Sequence, residues 1–371
     1  MEHFYDSWES RIILQTSLKS ILKMYKKKIY CIHENNICPL YASDTVTLEK
    51  RIGSASGAAE AWLGCFPRAK DELCSCKEPY SKIAIKKIPM TLEDVKEITK
   101  QKDLKHLVYT RENLQKMTWS ELYFMEACTK LVLGKITPNL PIMFSWHICD
   151  DCKIYNENIL NRYWGDYFPN SEFASKKVKY AIKQGNKIPC VIISNEYANG
   201  GDLNQYVHDN NPDIKLWENI LFQIVLGIYT LRKHLNMIHF DLHMGNVLIR
   251  KSTFKQGYWR YKIDGNIYDI PYMGVCAIIW DFGWSIVPEK IMIPNLARQY
   301  MGEGFQKVSK QIWEGAYINI KNRTEKEFGR ELTTNKHDEK EIFDRIDIQR
   351  ICEALYKNEY VQNNDFKDIL L

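Results

Sequence analysis

Apolar and polar positions change period several times along the 371 residues, and each change marks an element. Residues 11–30 space their apolar positions as an amphipathic helix does, and an irregular stretch with cysteines follows to about residue 45. TVTLEKRIG (45–53) alternates like a half-buried strand, runs into the small-residue segment GSASGAAEAW (53–62), and SKIAIKKI (81–88) alternates again. TWSELYFMEACTKLVL (118–133) returns to helical spacing, and VIISNEY (191–197) predicts a strand ended by the turn former Asn199-Gly200-Gly201. LWENILFQIVLGIYTLRKHL (216–235) lines up Leu216, Ile220, Ile224, Ile228 and Leu231 on one face of a long helix. That helix runs directly into MIHFDLHMGNVLI (237–249). Beyond residue 285 the pattern is helical but weak, and TNKHDEKE (334–341) reads as an exposed polar loop. Taken together these elements predict an α+β chain. Its expected divisions are a helical extension over 1–45, a small unit over 46–200 and a larger one over 201–371.

Composition narrows the function classes. Fifty-one basic against 46 acidic residues leave a net charge of +5, and no basic run is interleaved with aromatics, so a nucleic-acid partner is not expected. Lys26-Lys27-Lys28 reads as a solvated helix face. No uninterrupted apolar run reaches the length of a membrane span, and the first ten residues lack the order of a signal peptide. A reducing, cytoplasmic setting is therefore expected. Eleven cysteines at irregular spacing argue against a disulfide framework. Cys74, Cys76, Cys149 and Cys152 form a candidate zinc set, against which stands the simpler reading of separate reduced thiols.

Four polar features carry the chemistry. Arg51 to Ala59 is a glycine-containing turn between strands, where Ile52, Gly53, Ser54 and Gly57 would let backbone N–H groups approach phosphate oxygens. An ordinary tight hairpin explains the same residues. Ile83-Ala84-Ile85-Lys86 sets a lysine on an apolar strand, where its ammonium could meet two phosphates; Lys87 faces the other way. An edge-strand lysine is the alternative. Glu121, early on the next helix, is the candidate carboxylate for Lys86, with Glu126 as fallback, although Thr118-Trp-Ser-Glu121 also reads as a capping box. Asp281-Phe282-Gly283 ends the apolar strand Cys276–Trp280 and is suited to a divalent ion. Within 237–249, Asp241 could then accept or orient a hydroxyl proton, and Asn246 could share the metal with Asp281.

Taken in order, these segments resemble the protein kinase family. Gly53–Ala59 matches its glycine-rich loop, Ile83–Lys86 its V-A-I-K, His239–Asn246 its H-R-D-L-x-x-x-N, and residues 281–283 its D-F-G. The resemblance covers residues 46 to 290 and implies a bilobal fold, ATP with Mg2+ or Mn2+, and protein substrates. It implies that Glu196 and Ala198 bind adenine through a hinge, with Asn195 at the gatekeeper position. It also implies that Asp347 is the buried aspartate of a large-lobe helix. The chain departs from the pattern in places. Phe240 replaces the loop arginine, so no basic pocket awaits a phosphorylated segment and the enzyme is expected to be assembled in its active form. His243 stands where a lysine is usual and could still contact the transferring phosphate, while His239 becomes a buttress. About 20 extra residues precede Asp281, and no A-P-E follows. These features look like the serine/threonine kinases of large DNA viruses, which would place the protein in host cytoplasm or the virion. A small-molecule phosphotransferase of the same superfamily and an inactive kinase-like scaffold are the competing readings.

Overall fold

A computed structural model describes residues 11, 12, 15, 47–53, 59–65, 82–90, 117–154, 186–252, 257–287, 322 and 336–356. Most of the predicted helix over 11–30, together with Lys26–Lys28, Ser54, Gly57, Cys74 and Cys76, lies outside them. The described residues form a mixed α and β fold in two compact units. One is drawn from Met1–Val108 and Ile142–Asn199, the other from Tyr109–Pro141 and Gly200–Leu371.

The first unit is an antiparallel sheet of β1 (Thr47–Ile52), β2 (Glu60–Cys65), β3 (Lys82–Pro89), β4 (Met143–Ile154) and β5 (Asn186–Glu196), in the order β1-β2-β3-β5-β4. β3 and β5 are interior strands, and their sequences show it: Ile83, Ile85, Val191, Ile192 and Ile193 are all fully buried. Lys86 is therefore not the edge-strand lysine of the alternative reading. It sits on an interior strand and is itself buried, as is Lys87.

The second unit contains α1 (Met117–Leu133), α2 (Leu203–Asn210), α3 (Ile214–Leu235), α4 (Lys336–Tyr356) and two antiparallel ribbons. One ribbon pairs β6 (Val247–Lys251) with β9 (Val275–Ile279); the other pairs β7 (Tyr258–Ile263) with β8 (Asn266–Pro271). The second ribbon is made from the extra residues between Asn246 and Asp281.

α3 begins where the Asp213 carboxylate accepts from Leu216 N–H, and stops at Asn236, whose left-handed backbone closes the last turn. Its buried side is wider than the predicted stripe: Leu216 is half-exposed, and Trp217, Gln223 and Gly227 join Ile220, Ile224, Ile228 and Leu231 inside. By length and a mean hydropathy of 1.2 this helix could cross a membrane. Its inward Asn219 and Gln223, however, bond to Pro271 O, Asn139 and Ala277 N–H, which marks a core helix of this unit. Two further expectations are corrected. Residues 336–341 begin α4 instead of forming a loop, because helix favourites (Lys, Glu) continue into the apolar-periodic IFDRIDIQRICEAL. Thr118 lies inside α1 and so is not its N-cap.

Candidate functional site

The loop between α3 and β6 is built from its two ends. Asn236 turns the chain out of the helix, and Ile238 exchanges N–H···O bonds of 2.9 Å with Ile286. His239 is fully buried; its Nε2 donates to Trp280 O at 2.8 Å and its ring lies against Phe282. It is thus the expected buttress, binding the loop to the strand that leads to Asp281. Phe240 has φ 67°, a left-handed conformation that a bulky residue rarely adopts. Asp347 on α4 holds it there: its buried carboxylate accepts from His239 N–H at 2.7 Å and Phe240 N–H at 2.8 Å. Burial pushes this carboxyl above its ordinary range, with His239 and the two N–H bonds pulling the other way.

Asp241 follows, its side chain 34% exposed. Asn246 Nδ2 donates to Asp241 O at 2.8 Å and lies 3.4 Å from Asp241 Oδ2. With the amide nitrogen so used, the amide oxygen is the atom Asn246 has left for a cation. The β6–β9 ladder sets Val247 opposite Ile279, and Trp280 N–H donates to Asn246 O at 2.9 Å. Asn246 and Asp281 therefore meet at the same end of one ribbon. Asp281 is a second left-handed non-glycine residue, at φ 66°, followed by the 3-10 turn Phe282–Trp284. His243 caps the 3-10 turn Met244–Asn246 by accepting from Gly245 N–H at 3.0 Å, and its Nε2 lies 3.9 Å from Asp241 Oδ2. A Cβ at Gly245 would lie 2.9 Å from that imidazole, so a larger residue there would make the His243 ring shift from its cap position.

Arg350, one turn after Asp347 on α4, places Nη2 3.2 Å from Asp241 Oδ1. The sequence reading missed this residue. The available signal was the i, i+3 spacing of Asp347 and Arg350, which puts both on one helix face.

In the first unit, Lys86 shares a sheet face with Ala84 and Asn195, since Ala84 stands opposite Asn195 and Lys86 opposite Ile193. Lys87 faces the other side, where it lies over the Trp62 ring at 4.8 Å; its cross-strand neighbour Glu60 accepts from Trp62 Nε1. Burial lowers the Lys87 pKa, and Glu60 opposes the shift in part. Ile52 and Ala84 are half-buried, Gly53 has φ 75°, and Ala198 is buried. Both polar atoms of the fully buried Asn195 amide lack a hydrogen-bond partner among the described residues. The Glu196 side chain is already engaged. Arg11 meets it through Nε at 2.9 Å and Nη2 at 2.5 Å, and Ile142 N–H adds a third bond at 2.9 Å. Its backbone N–H is engaged as well, donating to Ile142 O at 3.0 Å. Arg11 was also missed, because nothing in the sequence links it to a strand 185 residues away.

Glu121 is buried on α1, which packs against the Phe282–Trp284 turn within the second unit. Among the described residues no group of three His, Cys, Asp or Glu is placed to hold a metal. Asn246 and Asp281 are still compatible with Mg2+, which takes one or two protein ligands and completes its shell with water and phosphate. Cys149 and Cys152 are buried free thiols, and burial pushes Cys152 up; the other two cysteines of the candidate zinc set, Cys74 and Cys76, lie outside the described residues.

No protein-family model matches the chain. It is 25% identical over 178 residues to a protein of Acanthamoeba polyphaga mimivirus described as a candidate serine/threonine-protein kinase, covering 45% of this chain and 37% of the relative. A similarly described protein of Invertebrate iridescent virus 6 is 25% identical over 184 residues, 49% of this chain and 29% of its own. One from Dictyostelium discoideum is 35% identical over 106 residues, covering 27% of this chain and 8% of its own. The chain thus spans well under half the length of these relatives, and it is distantly similar to kinase-like proteins.

Proposed function

We propose that the protein is an ATP- and Mg2+-dependent kinase that phosphorylates serine or threonine hydroxyls of proteins, its two units corresponding to the small and large lobes of a protein kinase. One observation carries the reading: a single ribbon and one short loop bring Asp241, Asn246 and Asp281 together in the second unit. Asp241 accepts or orients the proton of the attacking hydroxyl. Its partly exposed carboxylate, steadied by Asn246, suits that task. Asn246 through its amide oxygen and Asp281 through its carboxylate hold the metal. Bound Mg-ATP supplies the transferable phosphoryl group and a cation that offsets the charge developing on it. Lys86 binds phosphate as a point charge, and His243 serves the phosphate side. Ile52, Gly53 and Ala84 border the nucleotide, and the Glu196 C=O and the Ala198 backbone groups read the base. The preference for serine and threonine rests on the descriptions of the relatives.

The test is transfer of labelled phosphate from ATP to casein and histone, set beside a panel of small alcohols. Protein labelling that Asp241→Asn abolishes is expected, with no turnover of the alcohols. Labelling that survives Asp241→Asn at the native rate would refute the assignment of the base. Failure to bind ATP and Mg2+ would refute the function.

A further inference from the structure

Asp347 and Arg350 act on the same short loop from one face of α4, a turn apart and with opposite charge. The carboxylate takes the N–H groups of His239 and Phe240, and the guanidinium takes the side chain of the next residue, Asp241. The three contacts fix the loop at successive residues, two by backbone and one by side chain. We propose that Arg350 is a positioning residue for Asp241: it holds Oδ1, so that Oδ2 is the oxygen presented to substrate. This inference rests on the assignment of Asp241 as the base.

Several observations favour a dedicated contact over an incidental surface pair. The Arg350 side chain is 25% exposed, less than that of its partner, and its Nε is buried with no hydrogen-bond partner among the described residues. An arginine usually spreads five donors over several acceptors; here the fork gives up one desolvated donor and keeps its end on Asp241. At the far oxygen the approaches are longer: Asn246 Nδ2 is 3.4 Å and His243 Nε2 3.9 Å from Oδ2, the second beyond hydrogen-bond reach. Oδ1 has Arg350, so each oxygen is addressed from a different element. Position 240, where kinases carry an arginine, is a buried phenylalanine, and this helix arginine restores a cation beside the loop.

Misorienting a reacting group by about an ångström costs on the order of 100-fold in rate. The experiment compares Arg350→Met and Arg350→Lys with the wild-type full-length protein, measuring kcat and KM for ATP separately. For Arg350→Met we expect kcat to fall about 10- to 100-fold with KM for ATP within about 2-fold. Arg350→Lys, which can still reach Oδ1 with one donor, should recover part of the loss. A folding defect would lower active enzyme in both variants alike, so the lysine rescue separates positioning from structure. Wild-type turnover that Arg350→Met leaves unchanged, or raises, overturns the inference alone; a rise would make the pair a restraint on the base. A wild type with no transfer above Asp241→Asn removes the base assignment and the inference with it.

Discussion

Replacing Asp347 by asparagine keeps shape and removes charge, which makes it the cleanest probe of how the loop before Asp241 is held. In the native protein Oδ2 accepts from His239 N–H at 2.7 Å and Oδ1 from Phe240 N–H at 2.8 Å. An asparagine keeps one acceptor and turns the other position into an NH2 group facing an N–H. One hydrogen bond to a charged group is lost, about 1.5–3 kcal/mol, and a buried donor is left without an acceptor. Against this, the neutral amide no longer suffers the desolvation that pushes the carboxyl upward, which offsets part of the loss. A net cost of about 1.5–3 kcal/mol remains, enough to challenge the left-handed Phe240, whose conformation itself costs about 1–3 kcal/mol.

Amide hydrogen exchange across residues 236–243 reads this directly. Each 1.4 kcal/mol is about tenfold in an opening equilibrium, so exchange of the His239 and Phe240 amides should accelerate about 10- to 100-fold. The pH dependence has a definite sign. A carboxyl raised in the folded state contributes stability that is full below its unfolded value of about 3.9 and is lost as pH climbs through the raised value. The advantage of wild type over Asp347→Asn should accordingly narrow as pH rises from about 4. Unchanged protection of the two amides, or a gap that widens with pH, would show that Asp347 does not hold the loop through these bonds.

Other perturbations follow from equally local geometry. Gly200→Ala would set a Cβ 2.6 Å from Ile249 O, and a loss of about 1–3 kcal/mol is expected in urea unfolding; a native midpoint would show that the turn yields freely. Arg11→Met leaves the buried Glu196 carboxylate without its fork and should cost about 3–5 kcal/mol, with the double variant Arg11→Met/Glu196→Leu recovering part of it; additive losses would deny the pairing. Lys87 is buried and its pKa is lowered, so the folded state binds its proton less tightly than the unfolded one. Wild type should therefore gain on Lys87→Met as pH rises through the lowered value toward about 10.4, and a flat difference would mean the ammonium is not desolvated.

Much of this structure is legible in the sequence where one period dominates. The strands at 47–52, 82–89 and 191–196 and the helix at 214–235 follow from alternation or 3.6-residue spacing, because burial on one or both faces sets those patterns. Asp241, Asn246 and Asp281 were singled out for a different reason: phosphoryl transfer would use those residue types in that order, and their proximity at one end of the β6–β9 ribbon follows from the local backbone. What stayed hidden depends on long-range partners. The helix start at Lys336 lies in polar text with no apolar stripe of its own. Arg350 and Arg11 are ordinary cations until folding brings Asp241 and Glu196 to them. Asn139, in no motif, bonds Gln223 at 3.1 Å and Ala277 O at 2.9 Å and accepts from Tyr261 OH, joining α3, β9 and the inserted ribbon.

The backbone itself adds an argument that residue types do not. Among the described residues, two of the six non-glycine residues with positive φ are Phe240 and Asp281, one immediately before the candidate base and the other a candidate metal ligand. Three of the remaining four, Asn211, Asn236 and Asp264, carry the short polar side chains that tolerate this region in caps and turns. Phenylalanine has no such excuse, so its conformation must be imposed, and the two N–H bonds to Asp347 are what impose it. Asp281 makes no side-chain cap bond to the turn it precedes, but its short polar side chain is of the kind that tolerates this region. Strain kept at Phe240, next to Asp241, and held by a buried acid about a hundred residues later in the chain, marks this loop as one whose geometry is imposed by its surroundings. Such strain gathers at active sites, ligand clamps and switch regions alike, so it singles out this loop as a functional segment without deciding which of these it is.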